Sequence, residues 1–196
     1  MGGFFISQGN YMNIKILSVL STSIMLSACQ SYTAQTYSIS PDTVRSVKNL
    51  KLNESVGVGD VLTPVDVDLN CRAMGPIALP NKLTLSTYVK KAMEDELKIG
   101  DAYAYQNPKV TLSAQITKFS MSSSKGLTRG YFDIDLKVTS SNGKFMQANE
   151  YYEFDSGFDG YTACKNTSDA LMPAVQNLVA KVYRNPQFVD LTKAQK

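Results

Sequence analysis

Several groups of residues in this chain have the types and spacing to do chemistry. Leu26-Ser27-Ala28-Cys29 closes an apolar run that begins after Met12, and small residues directly before a cysteine read as a lipobox cleavage site. Cutting there makes Cys29 the first residue of the mature chain, with lipid on its sulfur and on its amine. Each buried methylene contributes about 0.8 kcal/mol, so such a group anchors a protein without a spanning helix. Cys71 and Cys164 are the two remaining cysteines, and in an oxidising compartment a lone pair most simply forms one disulfide. The other reading, a redox-active pair, lacks a Cys-x-x-Cys motif and an activating neighbour.

Carboxylates supply a second chemistry. Asp133 and Asp135 fall on one strand face about 7 Å apart, whereas Glu150 and Glu153 take opposite faces of a regular strand. A paired-carboxylate hydrolase needs two such groups in a cleft with an apolar wall; on an open sheet they are a solvated surface. Asp60, Asp66 and Asp68 could face a calcium ion, but their loop lacks the glycine and final glutamate of the recognised calcium loop. Gly57-x-Gly59 lacks the rest of a dinucleotide fingerprint and reads as close backbone packing or a bulge. Tyr131, Tyr151 and Tyr152 cluster as a candidate aromatic strip for a glycan or peptide.

Composition removes other chemistries. The chain has no histidine, so Ser-His-Asp and Cys-His activation and every histidine-based zinc site are excluded. Lys and Arg number 20 against 17 Asp and Glu, with no long basic stripe, which argues against nucleic acid as a partner. No cofactor or metal is called for.

The elements that would position these residues follow from pattern. Lys15 opens a short hydrophobic stretch, Ile16 to Leu26, too short to span a bilayer, so residues 1–28 read as a lipoprotein signal peptide with Met12 as the expected true start. The competing reading is a buried N-terminal helix ending in a core cysteine. Residues 29–53 are polar, with a helix-averse Ser40-Pro41, and read as a lipidated tether with an ordered end near Val44 to Leu52. Residues 54–192 form one α+β domain, and 193–196 a polar tail.

Within that domain, Val56, Val58 and Val61-Leu62 make a strand, and alternation from Val65 to Leu69 suggests a second short strand or arm. Met74 to Pro80 is an edge strand or connector. Leu85, Val89, Ala92, Met93 and Leu97 share a helix face, capped by Thr84 or Ser86 and stopped at Gly100, with Glu94 and Lys98 at i,i+4 spacing. Val110 to Thr117 and Tyr131 to Val138 alternate as half-buried antiparallel strands, joined by a mobile loop at Ser122 to Gly130. Asn142-Gly143 signals a hairpin into Phe145 to Phe154. Cys164 precedes a second helix capped by Asn166, Thr167 or Ser168 and ended by Arg184-Asn185-Pro186, in which Pro173 either lies in the first turn or makes a kink. Phe188 to Leu191 packs back. The expected fold is an antiparallel sheet of four to five strands with two amphipathic helices on one face.

One ordered set of short segments carries a resemblance. Ser55-Val56-Gly57-Val58-Gly59, Cys71-Arg72 with Gly75-Pro76-Ile77, Tyr88-Val89 through Glu96-Leu97, Ser140-Ser141-Asn142-Gly143, Ala163-Cys164, Pro173-Ala174-Val175-Gln176 and Pro186-Gln187-Phe188 occur in that order. The set resembles a family of uncharacterised proteobacterial outer-membrane lipoproteins over nearly the whole mature chain. Element order and lipobox are more loosely similar to the YajG and LptE type of small lipoproteins. The first resemblance implies no catalytic residues. The second implies an adaptor that binds a larger envelope protein partner. Gln30, where inner-membrane lipoproteins typically carry aspartate, implies a periplasm-facing place on the outer membrane of a Gram-negative bacterium.

Overall fold

Alternating apolar and polar residues along 110–155 build the centre of the molecule. A computed structural model describes residues 32–53 and 55–194. Cys29 and the signal segment read at 1–28 lie outside the described residues. Strands β4 (Val110–Lys125), β5 (Arg129–Ser140) and β6 (Phe145–Asp155) form an antiparallel meander, and β2 (Val56–Leu62) adds to its edge in the order β2-β4-β5-β6. The short β1 (Tyr32–Thr33) and β3 (Ile77–Ala78) pair separately, in parallel.

The sheet is mixed rather than antiparallel throughout, because β2 runs parallel to β4. Between them lies α2 (Leu85–Ile99), and a strand–helix–strand crossover returns the chain in its original direction. Glycine opens β2 to its neighbours. A Cβ on Gly57 would stand 3.0 Å from Pro108 and one on Gly59 would stand 2.7 Å from Ser113 Oγ, beside a register shift between Val58 and Val61. The segment Val65 to Leu69 keeps its alternation of half-buried valines and exposed aspartates but pairs with nothing as a strand.

Helix α2 and the long α3 (Gly160–Arg184) cover one face of the sheet, as expected. Two shorter helices join them: α1 (Pro41–Asn49) and α4 (Phe188–Leu191), giving four rather than two among the described residues. The α2 stripe of Leu85, Val89, Ala92, Met93 and Leu97 is buried, and Thr84 caps it in a reciprocal capping box with Thr87. Gly100 ends this helix without left-handed backbone, at φ −81°. Its small size matters instead, because a Cβ there would collide with Val47 of α1.

Residues 32–49, expected within a tether, are packed structure. Ser40-Pro41 starts α1, since proline suits a first helical position where its missing N–H is not needed. Tyr32 and Tyr37 are buried, and Tyr88 Oη donates to the Gln35 carbonyl at 2.8 Å. At the other terminus, Asn142 of the β5–β6 turn donates to the carbonyls of Asp190 and Lys193, holding α4 and the start of the polar tail against the sheet. The expected mobile loop at 122–130 is mostly strand, with only residues 126–128 turning. Helix α3 starts earlier than its sequence suggests, with Asp159 accepting from Thr162 N–H at 2.9 Å, so Cys164 lies inside it and Pro173 in its middle.

Candidate functional site

The open face of the β4–β5–β6 sheet gathers Tyr131, Asp133, Asp135, Tyr151 and Glu153 from the residues singled out for chemistry. β5 turns Phe132, Ile134, Leu136 and Val138 under the helices, so Tyr131, Asp133, Asp135 and Lys137 face outward. A bulge between Ile116 and Lys118 keeps β4 in phase with this pattern. Ile116 and Phe119 both stay on the inner side while Lys118 and Ser120 turn out, which re-aims Lys118 at Asp133.

The carboxylates there are hydrogen-bonded in place. Lys118 Nζ donates to Asp133 at 2.5 Å, and Asn149 Nδ2 reaches both Asp133, at 2.9 Å, and Asp135, at 2.5 Å. Partial burial works against charge on Asp133, but Lys118 and Asn149 outweigh it and hold the carboxyl below its ordinary range. Asp135 lines only a shallow hollow of about 200 Å³. Beyond it, Tyr131 and Tyr151 stack at 5.3 Å, with Lys125 over the Tyr151 ring and paired with Glu153. Tyr152 is not part of this strip. Adjacent strand residues point to opposite faces, and Tyr152 lies half-buried on the inner side, stacked with Phe154.

Glu150 and Glu153 do lie on opposite faces. Glu150 is buried toward α3 at the floor of a cleft of about 450 Å³, where Asn177 Nδ2 donates to one oxygen at 3.1 Å. Lys181 Nζ stands 2.6 Å from the other oxygen, off hydrogen-bond alignment, and donates to the Asn149 carbonyl. The three aspartates considered for calcium do not converge. Asp60 sits by Lys90 at 3.5 Å, and Asp68 accepts from Asn70 N–H. Among the described residues no cluster of acidic or sulfur ligands could hold a metal.

A different carboxyl, not singled out by its sequence, is sealed among the helices. Glu96 of α2 is fully buried and accepts from Tyr37 Oη and from Ser40 N–H, each at 2.7 Å, while its second oxygen has no partner. Burial pushes its pKa up, against the partial opposition of those two donors. Tyr183, fully buried beside it, donates to the Met93 carbonyl at 2.7 Å and is held neutral by burial. This site joins α1, α2 and α3 within the core.

Cys71 and Cys164 are both buried and joined, with Cα atoms 5.7 Å apart. The bond spans 93 residues, a loop for which the chain-entropy model gives about 4–5 kcal/mol. It pins a 3-10 turn at Arg72–Met74 to the first turns of α3. Arg72 extends the brace in a way its sequence does not announce. Its guanidinium donates to the carbonyls of Phe158 at 2.6 Å, Ser123 at 2.8 Å, Gly157 at 2.9 Å and Leu127 at 3.1 Å. One side chain thus clips the β4–β5 turn to the β6–α3 connection.

The chain matches no protein-family model and no curated protein sequence. Among solved structures it is similar to a presumed lipoprotein from Caulobacter crescentus, at 12% identity over 76% of this chain and 95% of that one. It is also similar to a DUF330 protein from Xanthomonas campestris, at 16% identity over 79% and 85% of the two chains. A hypothetical protein from Chlamydia trachomatis shares 11% identity over 68% and 96%. Each likeness has a TM-score of 0.40 and is one of general outline.

A recess of mixed character opens beside the start of α2. Val61, Leu62, Val65, Leu79, Leu83 and Leu85 line an open groove of about 560 Å³ between the unpaired 63–69 segment and the start of α2. No helix among the described residues is long and apolar enough to cross a membrane.

Proposed function

We propose that this chain is a lipid-anchored, non-enzymatic accessory of the cell envelope, held by Cys29 on the periplasmic side of the outer membrane and binding another envelope component. The observation that carries the reading is how the fold begins. β1 starts at Tyr32, three residues after Cys29, and is already paired with β3. An acyl group on Cys29 therefore attaches to the body of the domain rather than to a long leash. The side chains fit a scaffold better than a catalyst. Lys118 and Asn149 keep Asp133 ionised, whereas a hydrolytic pair needs one carboxyl poised to give a proton. Mass analysis of the mature N-terminal peptide tests the anchor, with acyl mass on Cys29 as the expected result. Crosslinking from native envelopes tests the adaptor role: one defined component should accompany the wild type and be lost with Cys29→Ala. Turnover of an envelope substrate by the purified domain would end the reading.

A second reading, a binding module for a glycan, lipid or peptide, draws on the groove between Val61 and Leu85. Its size and mixed lining, with Thr63, Asp66 and Ser86 beside the aliphatic side chains, suit a small amphiphile or the side chains of an extended peptide. Leu83→Asp should abolish binding of any ligand seated there, while leaving an adaptor surface on the open sheet untouched.

A further inference from the structure

The end of the domain where the fold begins also carries a group of large apolar side chains in water. Phe158 is 77% exposed and Leu127 68% exposed, and Tyr161 and Met74 are about half exposed. They belong to four separate pieces of chain: the β6–α3 connection, the β4–β5 turn, the first turn of α3 and the 3-10 turn after Cys71. Arg72 holds the backbones of Phe158 and Leu127 together. A Cβ on Gly160 would stand 3.2 Å from Met74, which places Met74 beside the start of α3. Tyr161 in turn meets Tyr32 edge-on at 6.1 Å.

Other exposed aromatic rings have partners that account for them. Lys125 covers Tyr151, Lys137 covers Phe145, and Tyr105 packs on Tyr103. Among the described residues Phe158 and Leu127 have no such cover. Around them Arg129 lies beside Asp155 and Lys165 beside Asp169, Asp159 is taken up in capping α3 through Thr162 N–H, and Arg72 donates to carbonyls, so no single sign of charge selects the occupant.

Chain length does select it. Cys29 is three residues from Tyr32, and three residues reach at most about 11 Å. Tyr32 touches Tyr161, which belongs to the patch. On the reading that Cys29 is lipidated, the acyl chains enter the bilayer within reach of these four side chains. We infer that Phe158, Leu127, Met74 and Tyr161 form a membrane-facing rim that dips into the lipid interface and fixes how the domain stands on the bilayer. The aromatic and aliphatic composition suits the interfacial zone. The disulfide and Arg72 keep the rim rigid, so a lipid that could only tether the domain also orients it. The open sheet face and the groove are then presented at fixed angles to the membrane.

The chain has no tryptophan, so a single introduced one reports its own surroundings. The full-length lipoprotein carrying Phe158→Trp is reconstituted into vesicles with and without bromine-labelled acyl chains. Tyr105→Trp serves as control, at an exposed site separated from the β4–β5 turn by about 50 Å of strand β4. The expected result is a blue-shifted Phe158→Trp emission, quenched by bromolipid, shielded from aqueous acrylamide and unchanged by high salt. Tyr105→Trp should stay water-exposed. If the protein floats with vesicles but Phe158→Trp stays in water, the inference fails and the anchor stands. Quenching at Tyr105→Trp instead would also overturn it. A protein that neither floats nor carries acyl mass on Cys29 overturns both the anchor and the rim.

Discussion

The two faces of the β4–β5–β6 sheet are written by the same strands and held by different physics. Phe132, Ile134, Leu136 and Val138 are fully buried beneath α2 and α3. Their neighbours Tyr131, Asp133 and Asp135 face outward into an ion pair, hydrogen bonds from the Asn149 amide and a stacked tyrosine pair, and Lys137 lies over the Phe145 ring. Burial is worth about 25 cal/mol per Å² and is lost whole when a side chain is cut, whereas an exposed ion pair is screened and close to neutral in net effect. The inner face therefore sets stability. The outer face can change at little cost to the fold, and so is the one free to acquire a partner.

Ile134→Ala should give the largest effect, a loss of about 2–5 kcal/mol by denaturant unfolding. A loss below about 1 kcal/mol would mean that the helices can collapse onto the gap, and the contrast between faces would be weaker than drawn. Tyr151→Ala, on the outer face, should cost only about 1 kcal/mol through the stacked pair.

Two titrations sharpen the contrast in opposite directions. Burial raises the Glu96 pKa, so its contribution is present in full below the ordinary value of 4.5 and is lost as pH rises through the raised value. Glu96→Gln cannot ionise, so its unfolding midpoint should gain on the wild type as pH rises from the ordinary value of 4.5 through the raised one. A gap that does not change with pH would place the charged form comfortably in the core. Asp133 behaves the other way. Its lowered pKa gives stability that is present above the ordinary value of 3.8 and is lost as pH falls through the lowered value. Asp133→Asn should show the smallest effect of the four, a slight deficit at neutral pH that closes in acid.

Much of the inner face was legible in the chain. Period-two alternation placed Ile134 and Leu136 inward, a 3.6-residue stripe placed Val89 and Leu97, and Asn142-Gly143 marked its hairpin. The misses share a cause, which is that local pattern cannot see a distant partner. Ser40-Pro41 looks helix-averse until the proline is recognised as a first helical residue, and α1 is stable because Val47 packs against Gly100. The tyrosine strip lost Tyr152 for a reason the sequence did contain, since neighbours on a strand cannot share a face. The bulge near Thr117 was visible only as a change of phase from Ile116 to Phe119.

The sequence by itself nominated Cys29 as an anchor, excluded histidine chemistry, and determined the inner residues of each long strand and the two principal helices, because these depend on residue type and short-range period. Only the tertiary structure decided that β2 runs parallel to β4, that Glu96 is sealed among three helices, and that Arg72 gathers four carbonyls from two distant turns. Those features arise from segments meeting across long separations in the chain. Direction, burial and hydrogen-bond partners at such meetings belong to the packed whole, and no window of local sequence carries them.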